Sequence, residues 1–255
     1  MKENKITKII HISDLHFTGN FVVEWGNKLI EEINNVNPKI VVITGDLTDN
    51  GYYEEYVQAE NFIKKIKCEN IITVMGNHDA RNGGYEIFEE IFKNRYPLYS
   101  DDKIIILGID STEPDIDDGH IGRANYSYIE EKMKNNNKLK IIALHHHLIP
   151  IPKTGRERHI PVDSGDFLKL IDDLKVDIVL SGHKHNQWIW KLNNTFFVTA
   201  GTAVSKKLKG KGFPGYNIIE FNDIEIKLKQ INLLNGDTHI FVSNKNQKLS
   251  FNFES

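Results

Sequence analysis

The chain lacks several residue patterns, and each absence removes a class of protein. A single cysteine, Cys68, among 255 residues excludes an intramolecular disulfide and any thiolate metal cluster, which suits a reducing compartment. Cys68 itself reads as a small apolar residue on a helix face. Seven prolines and 18 glycines are too few for a fibrous or low-complexity chain. No apolar run approaches the roughly 20 residues of a membrane-spanning helix. The N-terminal stretch is broken by His11 and Asp14 and is too short and polar for a secretory signal. Excess charge of one sign is missing too: 32 Lys+Arg face 35 Asp+Glu for a net charge of -3, which gives no extended track for a nucleic-acid backbone. What is left is a globular protein, expected in the cytoplasm, long enough to bury a large core.

What the chain does have is a repeated pattern. Five short apolar runs each break abruptly into a polar motif. Ile9 to Ile12 leads into Ser13-Asp14-Leu15-His16, and Ile40 to Ile43 into Thr44-Gly45-Asp46-Leu47-Thr48-Asp49. Ile71 to Met75 leads into Gly76-Asn77-His78-Asp79, Ile141 to Leu144 into His145-His146-His147, and Ile178 to Leu180 into Ser181-Gly182-His183-Lys184-His185. Rich in β-branched residues and apolar but for His11 and Thr73, such runs predict strands buried on both faces.

Between them, apolar residues at three- and four-residue spacing predict helices over Val22 to Val36, Tyr53 to Ile66, Tyr85 to Phe92, Tyr126 to Met133 and Phe167 to Leu174. Ile104 to Ile109 predicts a further strand, ending in Asp110-Ser111-Thr112. Beyond residue 186 the texture changes to alternating segments, which predict an antiparallel meander completing a second sheet from about residue 187. The expected fold is α/β, one domain over residues 1–255 in which two sheets pack face to face with helices outside. A separable C-terminal unit is the alternative.

In open α/β sheets, ligand sites lie beyond the carboxyl ends of strands, where all five motifs fall. Each motif alone also suits a turn or a helix cap. Together they bring Asp14, His16, Asp46, Asn77, His145, His183 and His185 to five strand ends. Oxygen and imidazole donors in that number suit two divalent cations.

These five blocks resemble the calcineurin-like metallophosphoesterases, whose pattern is Asp-x-His, Gly-Asp-x-x-Asp, Gly-Asn-His-Asp, a later His and Gly-His-x-His, in this order. The resemblance implies a four-layer α-β-β-α sandwich of two mixed sheets. It implies that Asp14, His16 and His185 hold one metal, that Asn77, His145 and His183 hold the other, and that Asp46 bridges them. Manganese, iron, zinc and cobalt all suit such donors. Ions roughly 3.5–4 Å apart can share a water and present it as a bridging hydroxide to a phosphate ester.

His78 follows Asn77 but is assigned to neither metal, so it is the candidate to stabilise transition-state charge and protonate the leaving group. Asp49 is the candidate to orient His78. Asp79 is the second candidate, with a turn cap as its alternative. His146 and His147 cannot both join His145 on one metal, because neighbours along an extended chain point to opposite sides; they read as pocket-wall or hydrogen-bonded scaffold residues.

A narrower resemblance covers Leu107 to Glu131, with Gly108-Ile109-Asp110-Ser111-Thr112 and Asp118-Gly119-His120-Ile121-Gly122. It looks like the corresponding segment of class III cyclic-nucleotide phosphodiesterases. His120 is then either near the substrate or a surface turn residue. The loop from Pro150 to Asp163, with Lys153, Arg156, Arg158 and His159, either overhangs the metals or is merely solvated. The basic run Lys206-Lys207-Leu208-Lys209-Gly210-Lys211 is expected to be solvated.

The resulting expectation is a two-metal phosphoesterase for small phosphodiesters, cyclic nucleotides first. Asp49-Asn50-Gly51 stands where protein Ser/Thr phosphatases of the family have Asp-Arg-Gly. Asn77-His78-Asp79 stands where lipid-sugar pyrophosphatases have Asn-Arg-Asp. A DNA-repair-type nuclease is the runner-up, and a metal-free protein-binding scaffold is the alternative from another class.

Overall fold

Each of the buried apolar runs forms a strand, and the polar motif after it turns out of the sheet at one common end. The structure is a computed structural model that describes residues 6–134, 137–155, 159–209, 212–244 and 250–252. Arg156, Arg158, Gly210 and Lys211 therefore lie outside the described residues.

In the first sheet, β1 (Thr7–Ile12), β2 (Ile40–Thr44) and β3 (Ile71–Val74) run parallel. β10 (Gly215–Phe221), β11 (Glu225–Asn232), β12 (Thr238–Asn244) and β13 (Ser250–Asn252) extend it antiparallel from the other side of β1. The order is β13-β12-β11-β10-β1-β2-β3. In the second sheet, β5 (Ile104–Gly108), β6 (Leu139–Ala143), β7 (Ile178–Ser181) and β9 (Thr195–Thr199) run parallel. Antiparallel β4 (Leu98–Ser100) and β8 (Trp188–Leu192) border them, giving β4-β5-β6-β7-β9-β8.

Three apolar clusters fix the layering. Alternate residues of one strand point to opposite faces, so Ile9 packs between the sheets while Ile10 and Ile12 pack outward under helices. The outer cluster joins the first sheet to α1 (Val23–Val36), α2 (Tyr53–Ile63) and α3 (Gly84–Phe92) through Leu29, Ile33, Tyr56, Phe62 and Phe88. A second cluster, including Val42, Val74, Ile106, Ile141 and Leu180, fills the space between the sheets. The third seats α4 (Tyr126–Met133) and α5 (Ser164–Leu174) on the second sheet through Ile129, Met133, Phe167 and Ile171. Each fully buried aliphatic side chain contributes roughly 1.5–3 kcal/mol, so the four-layer α-β-β-α sandwich follows from the double-sided burial of the strands.

Two expectations need correction. The second helix stops at Ile63, and the last turn to Ile66 is drawn in by bonds from Lys65 N–H to Phe62 O and from Ile66 N–H to Ile63 O. The segments after residue 186 do not close one sheet as a meander. β8 and β9 form a hairpin on the second sheet, whereas β10 to β13 cross to the first, where β10 covers the edge of β1. An uncovered β1 would expose a row of unpaired backbone groups, which that crossing removes.

Candidate metal centre and active site

The site is built on strained backbone. Asp14, His16, Asp46, His183 and His185 all adopt the left-handed region, with φ of 55°, 49°, 51°, 73° and 52°. Non-glycine residues rarely do so, and such conformations persist only where surrounding bonds impose them. Asp14 N–H donates to Gly45 O at 3.0 Å and His16 N–H to Asp46 O at 3.0 Å, lacing the first two motifs together. Asp79 fastens the third: its carboxylate accepts from the N–H of Leu47, Thr48 and Gly76 and from Thr48 Oγ1, at 2.8–3.1 Å. The backbones approach closely as well. A Cβ on Gly76 would stand 2.3 Å from Asp46 Oδ1, and one on Gly182 would stand 1.9 Å from Ser13 Oγ, so both positions require glycine.

The seven residues singled out in the sequence converge into two adjoining sets. In the first, His185 Nε2 is 3.2 Å from Asp14 Oδ1, His16 Nε2 is 3.0 Å from His185 Nε2, and His16 Nε2 is 3.6 Å from Asp46 Oδ2. In the second, Asn77 Oδ1 is 3.0 Å from both His145 Nε2 and His183 Nδ1. His145 Nε2 is 3.4 Å from Asp46 Oδ1. Asp46 thus turns one oxygen to each set. Tetrahedral bonds of about 2.0–2.2 Å to a single ion place neighbouring ligand atoms about 3.3–3.6 Å apart, and the separations given above run from 3.0 to 3.6 Å.

Hydrogen bonds on the far sides of these groups show which atoms carry lone pairs. His16 Nδ1–H donates to Asp49 Oδ1 at 2.8 Å, His185 Nδ1–H to Lys207 O, and His145 Nδ1–H to Thr44 O at 2.7 Å. Each leaves Nε2 as the nitrogen turned inward. The Asn77 amide donates from Nδ2 to Asp117 Oδ1 at 2.8 Å, so its oxygen faces inward too. Acceptor atoms buried this close to one another, Nε2 against Nε2 and ring nitrogen against oxygen, call for positive charge among them. The donor set therefore fits two metal ions.

Electrostatics agree. Burial pushes the Asp46 carboxyl up, but His145, His78 and His16 outweigh it and hold it well below the ordinary value. Burial depresses His16 to about 4 despite the pull of Asp49. Burial also opposes charge on His145, yet Asp46 and Asp14 raise it to about 9. The centre attracts positive charge, whether a proton or an ion that displaces it.

His78 lies at the edge of this centre, its ring edge-on to His16 with centroids 4.8 Å apart. Its backbone N–H donates to Asp46 Oδ1 at 3.0 Å, and its Nδ1 lies 2.7 Å from the Asp49 main-chain carbonyl and 2.9 Å from Arg81 Nη1. Asp49 thus meets the His78 ring through its main-chain carbonyl more closely than through its carboxylate. The Asp49 carboxylate is 3.8 Å from His78 and instead holds His16 and Lys207. Asp79 takes the turn-fastening role, and burial beside Asp46 raises it to about 7.

His146 is fully buried, with Nδ1 2.9 Å from Ser111 Oγ and Nε2–H donating to Asp117 O at 3.2 Å. His147 stacks on His183 at 5.7 Å. Both are scaffold to the second set. His120 pairs with Glu113 at 2.7 Å, half exposed on its turn. From the Pro150 to Asp163 loop, His159 reaches a cleft of about 410 Å³ over the centre, its Nδ1 2.6 Å from Asp118 Oδ1.

Sequence reasoning missed three contributors. Lys207 is not solvated as expected: it pairs with Asp49 and lines the cleft with Leu208 and Lys209. Arg81 and Asp117, paired at 2.6 Å, brace His78 and Asn77. An Arg three residues beyond His78 was the available signal for one of these; Asp117 offered none.

The sequence matches the family described as calcineurin-like phosphoesterase over residues 7–187. It is 27% identical over 241 residues to a protein of Xenorhabdus bovienii named as a probable cyclic nucleotide phosphodiesterase, covering 84% of this chain and 96% of that one. It is 29% identical over 218 residues to a protein of Arcobacter nitrofigilis named as a probable glycerophosphodiester phosphodiesterase, covering 76% of this chain and 77% of that one. Among solved structures, a purple acid phosphatase from yellow lupin superposes with a TM-score of 0.75 at 15% identity, over 94% of this chain and 54% of the other. That likeness is one of fold. No helix among the described residues is long and apolar enough to cross a membrane.

Proposed function

Because the chain belongs to the calcineurin-like phosphoesterase family, we propose that it is a two-metal phosphodiesterase acting on small diesters, with cyclic nucleotides the first candidate. The observation that carries this reading is Asp46, whose two oxygens face separate ligand sets at 3.6 Å and 3.4 Å. In this reading Asp14, His16 and His185 hold one ion, Asn77, His145 and His183 the other, and Asp46 both. Two ions so held would polarise the phosphoryl oxygens and lower the pKa of an attacking water.

The rest falls to the chain. Lys207, Lys209 and His78 line the cleft and favour an anion there. The Asp49 carbonyl and Arg81 Nη1 hold the Nδ1 side of the His78 ring, which leaves Nε2 as the nitrogen to carry a proton to the leaving oxygen and to balance charge in the transition state. Arg81 Nη1, 3.3 Å from the same carbonyl, keeps that acceptor in place.

Support for a diester comes from the names of the relatives, which divide between cyclic nucleotides and glycerophosphodiesters. The testing experiment assays manganese-loaded protein on 2′,3′- and 3′,5′-cyclic nucleotides, a glycerophosphodiester, single-stranded DNA and a phosphopeptide. Turnover of a small diester is expected. Turnover of DNA alone would favour the nuclease reading, and absence of both metal and turnover would favour a scaffold.

A further inference from the structure

The loop from Pro150 to Asp163 is fastened at both ends. Trp190 Nε1–H donates to Pro150 O at 2.9 Å, tying its start to β8. At its end, Val162 N–H donates to Gly119 O at 2.9 Å. The Asp163 carboxylate accepts from Ile121 N–H at 3.1 Å, from Gly122 N–H at 2.9 Å and from the Tyr126 hydroxyl at 3.0 Å. A merely solvated loop leaves its polar groups to water, whereas these are paired with the turn around His120. That turn anchors the end of the loop that carries His159.

His159 lines the cleft over the centre, its ring edge-on to His183 with centroids 5.8 Å apart. His78 meets His16 in the same way at 4.8 Å. Each ligand set thus has beside it one imidazole that belongs to neither. His159 also keeps a left-handed backbone, with φ of 64°, which persists only where the surroundings impose it. Its Nδ1 is 2.6 Å from Asp118 Oδ1. A carboxylate only accepts, so Nδ1 carries the hydrogen, and Nε2 is the remaining polar atom of the ring, without a partner among the described residues.

The other side chains of the lining divide by chemistry. Asp46, Asn77, His183 and His185 belong to the ligand sets, and Asp117 Oδ1 accepts from Asn77 and Arg81. Lys207 and Lys209 are donors, which suits phosphoryl oxygens. A hydroxyl beside the phosphate needs an acceptor instead, and the uncharged His159 ring offers one at Nε2. We propose that His159, oriented by Asp118, accepts a hydrogen bond from a hydroxyl on the organic part of the substrate and so selects sugar and glycerol diesters over plain alkyl diesters. This deepens the phosphodiesterase reading and rests on it. The two diester classes of that reading share the feature, since the ribose of a 3′,5′-cyclic nucleotide carries a 2′-hydroxyl and glycerol carries its own.

The test uses manganese-loaded protein at about pH 8, where an imidazole is ordinarily uncharged. Calorimetry compares two matched pairs of monoesters: glycerol 3-phosphate with propyl phosphate, and adenosine 3′-phosphate with its 2′-deoxy analogue. The parent should bind the hydroxyl-bearing member about three- to tenfold more tightly, the effect of one neutral hydrogen bond. Kinetics on 3′,5′-cyclic AMP and its 2′-deoxy analogue should show the same ratio in kcat/KM, carried mainly by KM. In His159→Asn the amide still reaches Asp118 but no atom stands where Nε2 was, so both ratios should fall to about one. His159→Gln, which returns an amide oxygen near that position, should restore part of the preference. Loosening of the loop alone weakens both members of a pair equally and leaves the ratios unchanged. A ratio near one in the parent, or the parent's ratio retained in His159→Asn, overturns the proposal. A binding preference that His159→Asn abolishes, with no diester hydrolysed, upholds the contact and sinks the phosphodiesterase reading; turnover without any preference does the reverse.

Discussion

His16 and Asp49 meet at 2.8 Å, Nδ1 to Oδ1, while the other nitrogen of the same ring turns to His185 and Asp46. The carboxylate therefore fixes which nitrogen of His16 is free for a metal, and Lys207 on the same oxygen holds the carboxylate in turn. Asp49→Asn should rotate or loosen His16 without removing any of the seven ligand candidates. Metal affinity at the first set is expected to fall about 10–100-fold. Titration with a chelator checks this, and unchanged affinity would show that Asp49 serves only its neighbour Lys207.

Asp46 should be the residue on which both ions depend. Asp46→Ala removes an oxygen from each set, so elemental analysis should find both metals depleted. His185→Ala touches only the Asp14 and His16 side and should deplete mainly one. Full occupancy in Asp46→Ala would sink the bridging assignment.

Loss of His78 should act on turnover rather than on metal retention. Its ring meets the centre edge-on at His16 and is held by the Asp49 carbonyl. His78→Ala is expected to lower kcat by roughly 10²–10⁴-fold, the usual loss of general acid–base help. A nitrophenolate leaves without needing a proton, so the loss should be smaller with that diester than with an alkyl diester. Equal losses on both would argue against proton transfer, and loss of metal would make His78 structural.

The five apolar runs were legible because burial on both faces forces β-branched residues into them, and their carboxyl ends located the donors at Asp14, His16, Asp46, Asn77, His145, His183 and His185. The division of the C-terminal strands was not legible, since alternation in Tyr216 to Phe221 fits the edge of either sheet. Lys207 could not be distinguished from its neighbours in a basic run, because only the fold brings Asp49 to it. That Asp49 meets His78 by its carbonyl and His16 by its carboxylate was equally hidden, because only the fold sets the two histidines on either side of it.

Acid should destabilise the fold through a histidine remote from solvent. His11 is fully buried, its ring 2.9 Å from Thr44 Oγ1 and accepting from Asn217 Nδ2 at 3.1 Å. Burial lowers it from 6.5 to about 3, against the pull of Asp14. Between those values the unfolded chain binds a proton at this ring and the folded chain does not. Stability therefore rises with pH through that window, is fully present above about 6.5, and is lost as pH falls toward about 3, with a slope from one group of at most about 1.4 kcal/mol per pH unit. The buried His146, lowered to about 3 chiefly by burial, adds a similar slope, so the variant must be compared with the parent rather than read alone. Urea unfolding of His11→Asn and the parent at pH 7, 6, 5 and 4 is the measurement. The variant should start less stable at pH 7, having lost a fitted ring, and the gap should narrow as pH falls because its amide takes up no proton. A gap that stays constant or widens toward pH 4 would mean that the fold binds a proton at His11 as readily as the unfolded chain, or more so.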